Sequence, residues 1–445
     1  MSEEVIEKKE KGKTSKQTKK YIFNIALMVV VSAIAIFFMF KDNPGQVLHH
    51  LSNCKWQYIL ISLGIIVCYF LVESLILFVL ARMYKHNYKY HKSVLNCMIG
   101  AFFSGITPSN SGGQFAQAYT FSKQGVKISN AASILLMHFI VYQTVQVLFS
   151  MFILIFKFDQ MRAYSQTVNI FGIDFEIISL AIIGFVINAS VILILFLVSF
   201  SKRLHHFITT VGVNIMYKLH LVKDKDQKSL ELNAKFESFR IELKRLMQNA
   251  NVLIITILLF LVKAVLYNII PYFVAKSLGV EFRRDNTILN MVDCVSMSLF
   301  ANTITGMIPI PGASGGAELV FKMLFDNFFI ADGAQISAII LIWRSITYYF
   351  GLIVGLLVFI FYHEVPKKDL AHGNGRTLLQ LRIISLDNET KSLKMADEDE
   401  VEDETQNELT AEEIEERFKK LKEELASQLE ENQSELEKEN DGGNK

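Results

Sequence analysis

Charge and apolar surface are segregated along this chain, and that constrains its fold more than any other feature. The sequence is 51% hydrophobic and 20% charged, yet its longest apolar stretches carry almost no charge. Six runs are long enough to cross a bilayer, which takes about 20 residues. They cover 21–40, 57–80, 130–156, 177–200, 251–274 and 335–361. Trp56, Tyr58, Tyr84, Tyr272 and Tyr362 stand near run ends, where an interfacial aromatic belt places them. The expected fold class is an all-α polytopic membrane protein, with about six transmembrane helices.

The ends differ from the middle. Residues 1–20 are rich in lysine and read as a basic cytoplasmic N-terminus. No small-residue cleavage site follows the first apolar run, so a retained first helix is expected there. Residues 366–445 are polar and acidic and read as a cytoplasmic tail with a helix over 411–438. Thr410 and Glu413 form its capping box, and Ile414, Phe418, Leu421, Leu425 and Leu429 repeat every three or four residues. The central segment 201–249 is basic; Leu230, Leu232, Phe236, Phe239, Leu243 and Leu246 fall at helical spacing, as expected of an amphipathic helix at the cytoplasmic surface. A net charge of +1 argues against a nucleic-acid binder. Cys54, Cys68, Cys97 and Cys294 form no CxxC pair, and no ligand cluster points to a metal or a cofactor.

Two further segments, 93–121 and 287–326, are apolar but broken. The first reads Thr107-Pro108-Ser109-Asn110-Ser111-Gly112-Gly113-Gln114. The second reads Pro309-Ile310-Pro311-Gly312-Ala313-Ser314-Gly315-Gly316-Ala317-Glu318. Interrupted helices at matching places in two halves mark transporter binding sites. Basic loops face the cytoplasm by the positive-inside rule. If both broken segments enter and leave on one side, every basic loop falls there except Lys276-Arg283-Arg284. The units 57–156 and 251–361 then become inverted repeats, each a helix, a re-entrant hairpin and a helix, within a membrane domain spanning 21–365. Full crossing by two kinked helices is the alternative.

A buried lipid phosphate needs donors that carry no large desolvation cost, and helix N-termini supply them. The candidate substrate-binding residues are therefore Ser111, Gly112, Gly113, Gln114, Pro311, Gly312, Ser314, Gly315, Gly316, Glu318 and Arg344. Ser111 and Ser314 are expected to cap the following helices or to bond the phosphate. Close helix packing is the competing role for the glycines. Charges inside a membrane are costly unless paired or wet. Glu318 is expected to pair with Arg344, or to divide a zwitterionic head group with it. Glu73, His138, Lys263 and Asp293 are further candidate cavity charges, with Glu73 and Lys263 paired or facing one cavity. No catalytic residues are assigned.

The second motif, with Arg344 on the next helix, resembles the lysylphosphatidylglycerol synthase transmembrane family. This is the flippase-like domain of phosphatidylglycerol lysyltransferases, also called multiple-peptide-resistance proteins. The resemblance covers roughly 20–365, and the break from Thr107 to Gln114 is similar to the family's first-half motif. It implies translocation of an anionic, aminoacylated or polyprenyl-phosphate lipid across the bacterial plasma membrane. The family often has Gly-Gly-x-Gly before the glutamate, where this chain has Gly312-Ala313-Ser314-Gly315-Gly316. It also often carries an arginine after the first motif, where His138 is the nearest candidate here. The stretch after Phe361 is too short and polar for the family's aminoacyltransferase domain. Lipid aminoacylation with a separate catalytic partner, or a scaffold acting through the acidic tail, are the rival readings. A cytoplasmic protein partner of the tail and a homo-oligomer are both left open.

Overall fold

The computed structural model describes residues 37, 43–164, 167–170, 173–200, 204, 207–218 and 225–362. The first apolar run (apart from Phe37), the basic N-terminus and the tail helix expected at 411–438 lie outside these residues. Six helical stretches among the described residues are long and apolar enough to cross a membrane. The chain is an all-α polytopic membrane protein.

A short helix, α1 (Pro44–Ser52), precedes α2 (Trp56–Arg82). At 1.5 Å per residue α2 is about 40 Å long, more than the roughly 30 Å hydrocarbon core. Helices α3 (Tyr90–Gly105) and α4 (Ser111–Lys123) follow, then the long α5 (Ile128–Tyr164). A two-stranded hairpin, β1 (Thr167–Ile170) and β2 (Ile173–Glu176), comes next. It leads into α6 (Ile177–Phe200). After a turn of wide helix at Phe207–Gly212 come α7 (Val213–Lys218) and the amphipathic α8 (Lys225–Gln248). Phe236, Phe239, Leu243 and Leu246 of α8 are buried, as their spacing predicts.

The expected span at 251–274 is two helices, α9 (Ala250–Asn268) and α10 (Ile270–Ser277). Pro271 explains the division: proline has no N–H to donate and its ring crowds the preceding turn. Strand β3 (Glu281–Phe282), α11 (Thr287–Thr305), α12 (Gly316–Phe325) and β4 (Phe329–Ile330) follow. The last expected span is likewise divided, into α13 (Gly333–Arg344) and α14 (Phe350–Phe361), joined by a wider turn at Ser345–Tyr349.

Helices α3 and α4 pack along one another as the arms of a hairpin. At about 24 and 20 Å, neither arm is long enough to cross. The hairpin base is tied by polar bonds. Lys85 Nζ donates to the carbonyls of Gln124 and Gly125 at 3.0 and 2.9 Å, and Gln124 Nε2 donates to Lys92 O at 2.8 Å. Arms α11 and α12 form the second hairpin, whose base is closed by antiparallel pairing of β3 with β4. Helix α11 alone has the length and hydropathy of a span, but 67% of its apolar window is buried in protein and the chain turns back after it.

The two bases lie at opposite ends of α2. At its start, Lys55 N donates to Ser277 O at 2.7 Å, and Gln335 Nε2 donates to Leu278 O at 2.9 Å beside the β3–β4 pair. At its far end, Lys85 holds the base of the first hairpin. There Tyr84 donates to Glu242 of α8 at 2.7 Å. Burial and then the Glu242 carboxylate hold the Tyr84 phenol above its usual titration range.

Candidate functional site

Opposed bases bring the hairpin tips together: the turn Pro108–Asn110 packs against the turn Pro311–Ala313. Both turns have one backbone design. An extended residue, Thr107 or Ile310, precedes a proline; two left-handed residues follow. They are Ser109 (φ 51°) and Asn110 (φ 56°) in the first, Gly312 (φ 60°) and Ala313 (φ 48°) in the second. Left-handed backbone costs about 1–2 kcal/mol for a residue with a side chain. Such strain persists only where surrounding structure holds it and collects at functional sites.

The tips differ in what holds them. Ser111 and Gln114 of the first are exposed, while Pro311, Ser314 and Glu318 of the second are buried. Arg344, from the end of α13, reaches the second tip. Its Nε donates to Glu318 Oε1 at 2.7 Å and its NH2 donates to Gly312 O at 2.8 Å. The expected Glu318–Arg344 pair is therefore present, and the same arginine clamps the strained turn. Its guanidinium lies 4.5 Å from the Tyr348 ring centroid. Tyr348 lies against Gly312 and donates to Gly105 O at 3.0 Å, so one side chain touches both hairpins. The second carboxylate oxygen, Glu318 Oε2, is buried without a hydrogen-bond partner.

Neither serine caps its helix as expected. Ser111 Oγ donates to Pro108 O at 2.9 Å and Ser314 Oγ to Pro311 O at 3.2 Å, closing the turns instead. Thr107 takes the capping role in the first tip, where its Oγ1 accepts from Gly112 N at 2.8 Å. A threonine five residues before the glycine lies outside the usual capping spacing, so pattern reading passes over it. Gly112 and Gly113 let the arms approach. A Cβ on Gly113 would collide with Ser104 and the Gly100 carbonyl, and one on Gly112 with Thr107. In the second tip Gly312 and Gly315 supply positive φ, and Gly316 makes room for Ile308.

Other expected cavity charges gather elsewhere. Glu73 of α2 accepts from Lys263 of α9 at 2.6 Å and pairs with His138 of α5 at 2.9 Å. His138 thus belongs to Glu73, not to the first tip where it stood as a substitute for an arginine. Asp293 of α11 sits between Lys157 Nζ at 2.8 Å and Arg284 Nε at 3.0 Å. That contact places one charge of the anomalous basic loop against a buried carboxylate. Among the described residues no cluster of His, Cys, Asp or Glu could hold a metal ion.

The tips, their prolines and glycines and the Glu318–Arg344 pair lie within or beside one stretch of family-level similarity. The family model described as "Lysylphosphatidylglycerol synthase TM region" matches residues 25–355. The chain belongs to this family. A search of curated proteins gave no match. The family match begins inside the first apolar run and ends within α14, so it takes in both hairpins.

Proposed function

We propose that this chain is a flippase-like lipid translocase of the bacterial plasma membrane, with both termini cytoplasmic. Its cargo is an anionic, aminoacylated or polyprenyl-phosphate lipid. The head group binds where the hairpin tips meet, while the acyl chains stay in the bilayer. The observation that carries this reading is the tip-to-tip contact of two strained turns entering from opposite ends of α2. Irregular backbone at membrane depth is tolerated where protein covers it or a wet path reaches it.

The chemistry of the tips suits a polar head group. Arg344 supplies a planar cation fit for phosphate. Glu318 Oε2 is an acceptor without a partner, a costly state that an incoming donor relieves. Arg82, Lys85, Lys89 and Lys92 surround the first hairpin's base, which supports placing it in the cytoplasm. Alternating access then follows from rocking one hairpin unit against the other. The sequence has no GxxxxGK[ST] loop, so the reading draws its driving force from a gradient or from downstream consumption.

Leaflet exchange of fluorescent lipids in proteoliposomes tests this. Wild type should exchange at least one anionic, aminoacylated or polyprenyl lipid, and Glu318→Ala, Arg344→Ala and Gly315→Leu should lose that exchange. Failure of wild type with all three classes would remove the translocase reading.

A further inference from the structure

The tip site leaves a second buried polar cluster without a task. Glu73, His138 and Lys263 come from three helices, α2, α5 and α9. Glu73 lies about 14 Å from the Arg82 end of α2 and about 26 Å from the Trp56 end, deep in the hydrocarbon core. Two potential cations share one carboxylate there, and ionisable side chains at such depth are expensive and functional by default.

The bonding assigns the protons. A carboxylate only accepts, so the His138 Nε2 facing Glu73 at 2.9 Å carries hydrogen and donates it. The Nδ1 lone pair is then the place for a further proton. Imidazole is the side chain that ordinarily changes charge between about pH 5 and 8. With neutral His138 the Glu73–Lys263 pair is balanced; with a proton on Nδ1 the cluster becomes singly positive.

Groups from α2, α3, α5 and α9 surround the cluster. Tyr142 of α5 stacks on His138 at 6.5 Å, and Phe260 of α9 meets its edge at 5.0 Å. Lys263 Nζ lies 5.3 Å from the rings of Tyr69, Tyr142 and Phe260. Cys97 of α3 points its thiol at Phe70 O of α2, one turn from Glu73, at 3.8 Å. From Tyr69 the chain of contacts continues to Tyr267, 5.2 Å away between ring centroids. Tyr267 lies on α9, the helix that also carries Lys263.

We infer that the Glu73–His138–Lys263 cluster is a proton-binding site, with His138 the carrier, that couples head-group movement at the tips to the transmembrane proton gradient. The coupling rests on the translocase reading; proton binding does not. One proton moves from water on one side onto Nδ1 and leaves to water on the other. The charge it adds falls where α2, α5 and α9 meet and acts through the packing of Tyr69 against Tyr267.

Two measurements on the full chain test this. In nanodiscs, nitrogen NMR of histidine-labelled protein should show a resonance, missing in His138→Gln, that moves between the neutral and charged imidazole positions when the pH is changed. A His138 that keeps one protonation state at every pH where the protein stays folded overturns the proposal. In proteoliposomes holding a pH-sensitive dye and fluorescent lipid, an imposed pH gradient should speed wild-type exchange and carry protons with it. His138→Gln and Glu73→Gln should lose both responses. Lipid exchange indifferent to the gradient overturns the coupling and leaves the translocase reading standing. No exchange of any lipid sinks that reading, and the coupling with it.

Discussion

At the scale of single residues, Arg344 is the point where fold and proposed site coincide. It neutralises Glu318 and accepts strain at Gly312 by bonding its carbonyl. Removing one partner of a buried ion pair leaves an uncompensated charge and costs about 3–5 kcal/mol. Arg344→Ala should therefore lower thermal stability in detergent by that order, while Arg344→Leu paired with Glu318→Leu should recover most of it. A double variant no more stable than the single one would show that the pair contributes little. Gly312→Ala should cost about 1–2 kcal/mol for the left-handed backbone alone. It should also push Tyr348 away from its contact with Gly105, which a change in tyrosine fluorescence near the tips would register. The Glu318–Arg344 pair was legible in the sequence because a lone charge in hydrocarbon must find an opposite one. The partners of Asp293 were not, since Lys157 comes from distant α5 and Arg284 from the irregular loop just before α11, where no helical spacing relates it to Asp293.

At the scale of elements, each hairpin is a device for stopping two helices partway. Proline followed by two left-handed residues reverses the chain, and a tied base keeps the arms together. Cysteines at Glu281 and Ile330, directly paired across β3 and β4, should cross-link readily in a background lacking the native cysteines. Cysteines at Ser109 and Ala313 should be joined by a short bifunctional maleimide, since the tips adjoin. Failure of the tip cross-link together with success at the base would mean that the hairpins form but do not meet. Helix identity along most of the chain was legible from length and hydropathy. The breaks at Ile269 and at Ser345–Tyr349 were less so: Pro271 marked the first, but both lie inside stretches whose mean hydropathy stays high enough to span.

At the scale of the whole molecule, α2 separates the two hairpin bases by about the thickness of a membrane. Cysteines at Lys89 and at Asp285 should therefore react with an impermeant maleimide from opposite sides in oriented vesicles. Labelling of both from one side would rule out opposed entry. The apolar surface agrees with a bilayer setting: Leu60, Leu148, Phe152, Phe156, Leu258 and Phe361 all stand exposed on spanning helices. That exposure is what lipid contact requires of a membrane protein and what water would penalise.

The sequence by itself determined that this chain enters a bilayer, roughly where its spanning stretches lie, and that two further apolar segments are broken at matching places. Those properties follow from local hydrophobicity, proline and glycine, which act over one or two turns of chain. Only the tertiary structure decided that the tips touch, that Tyr348 spans them and that His138 serves Glu73. These contacts join residues from separate helices, and their geometry depends on how bundles of nearly equivalent apolar faces settle against each other. Charge told each buried residue that it needed a partner; packing chose which one.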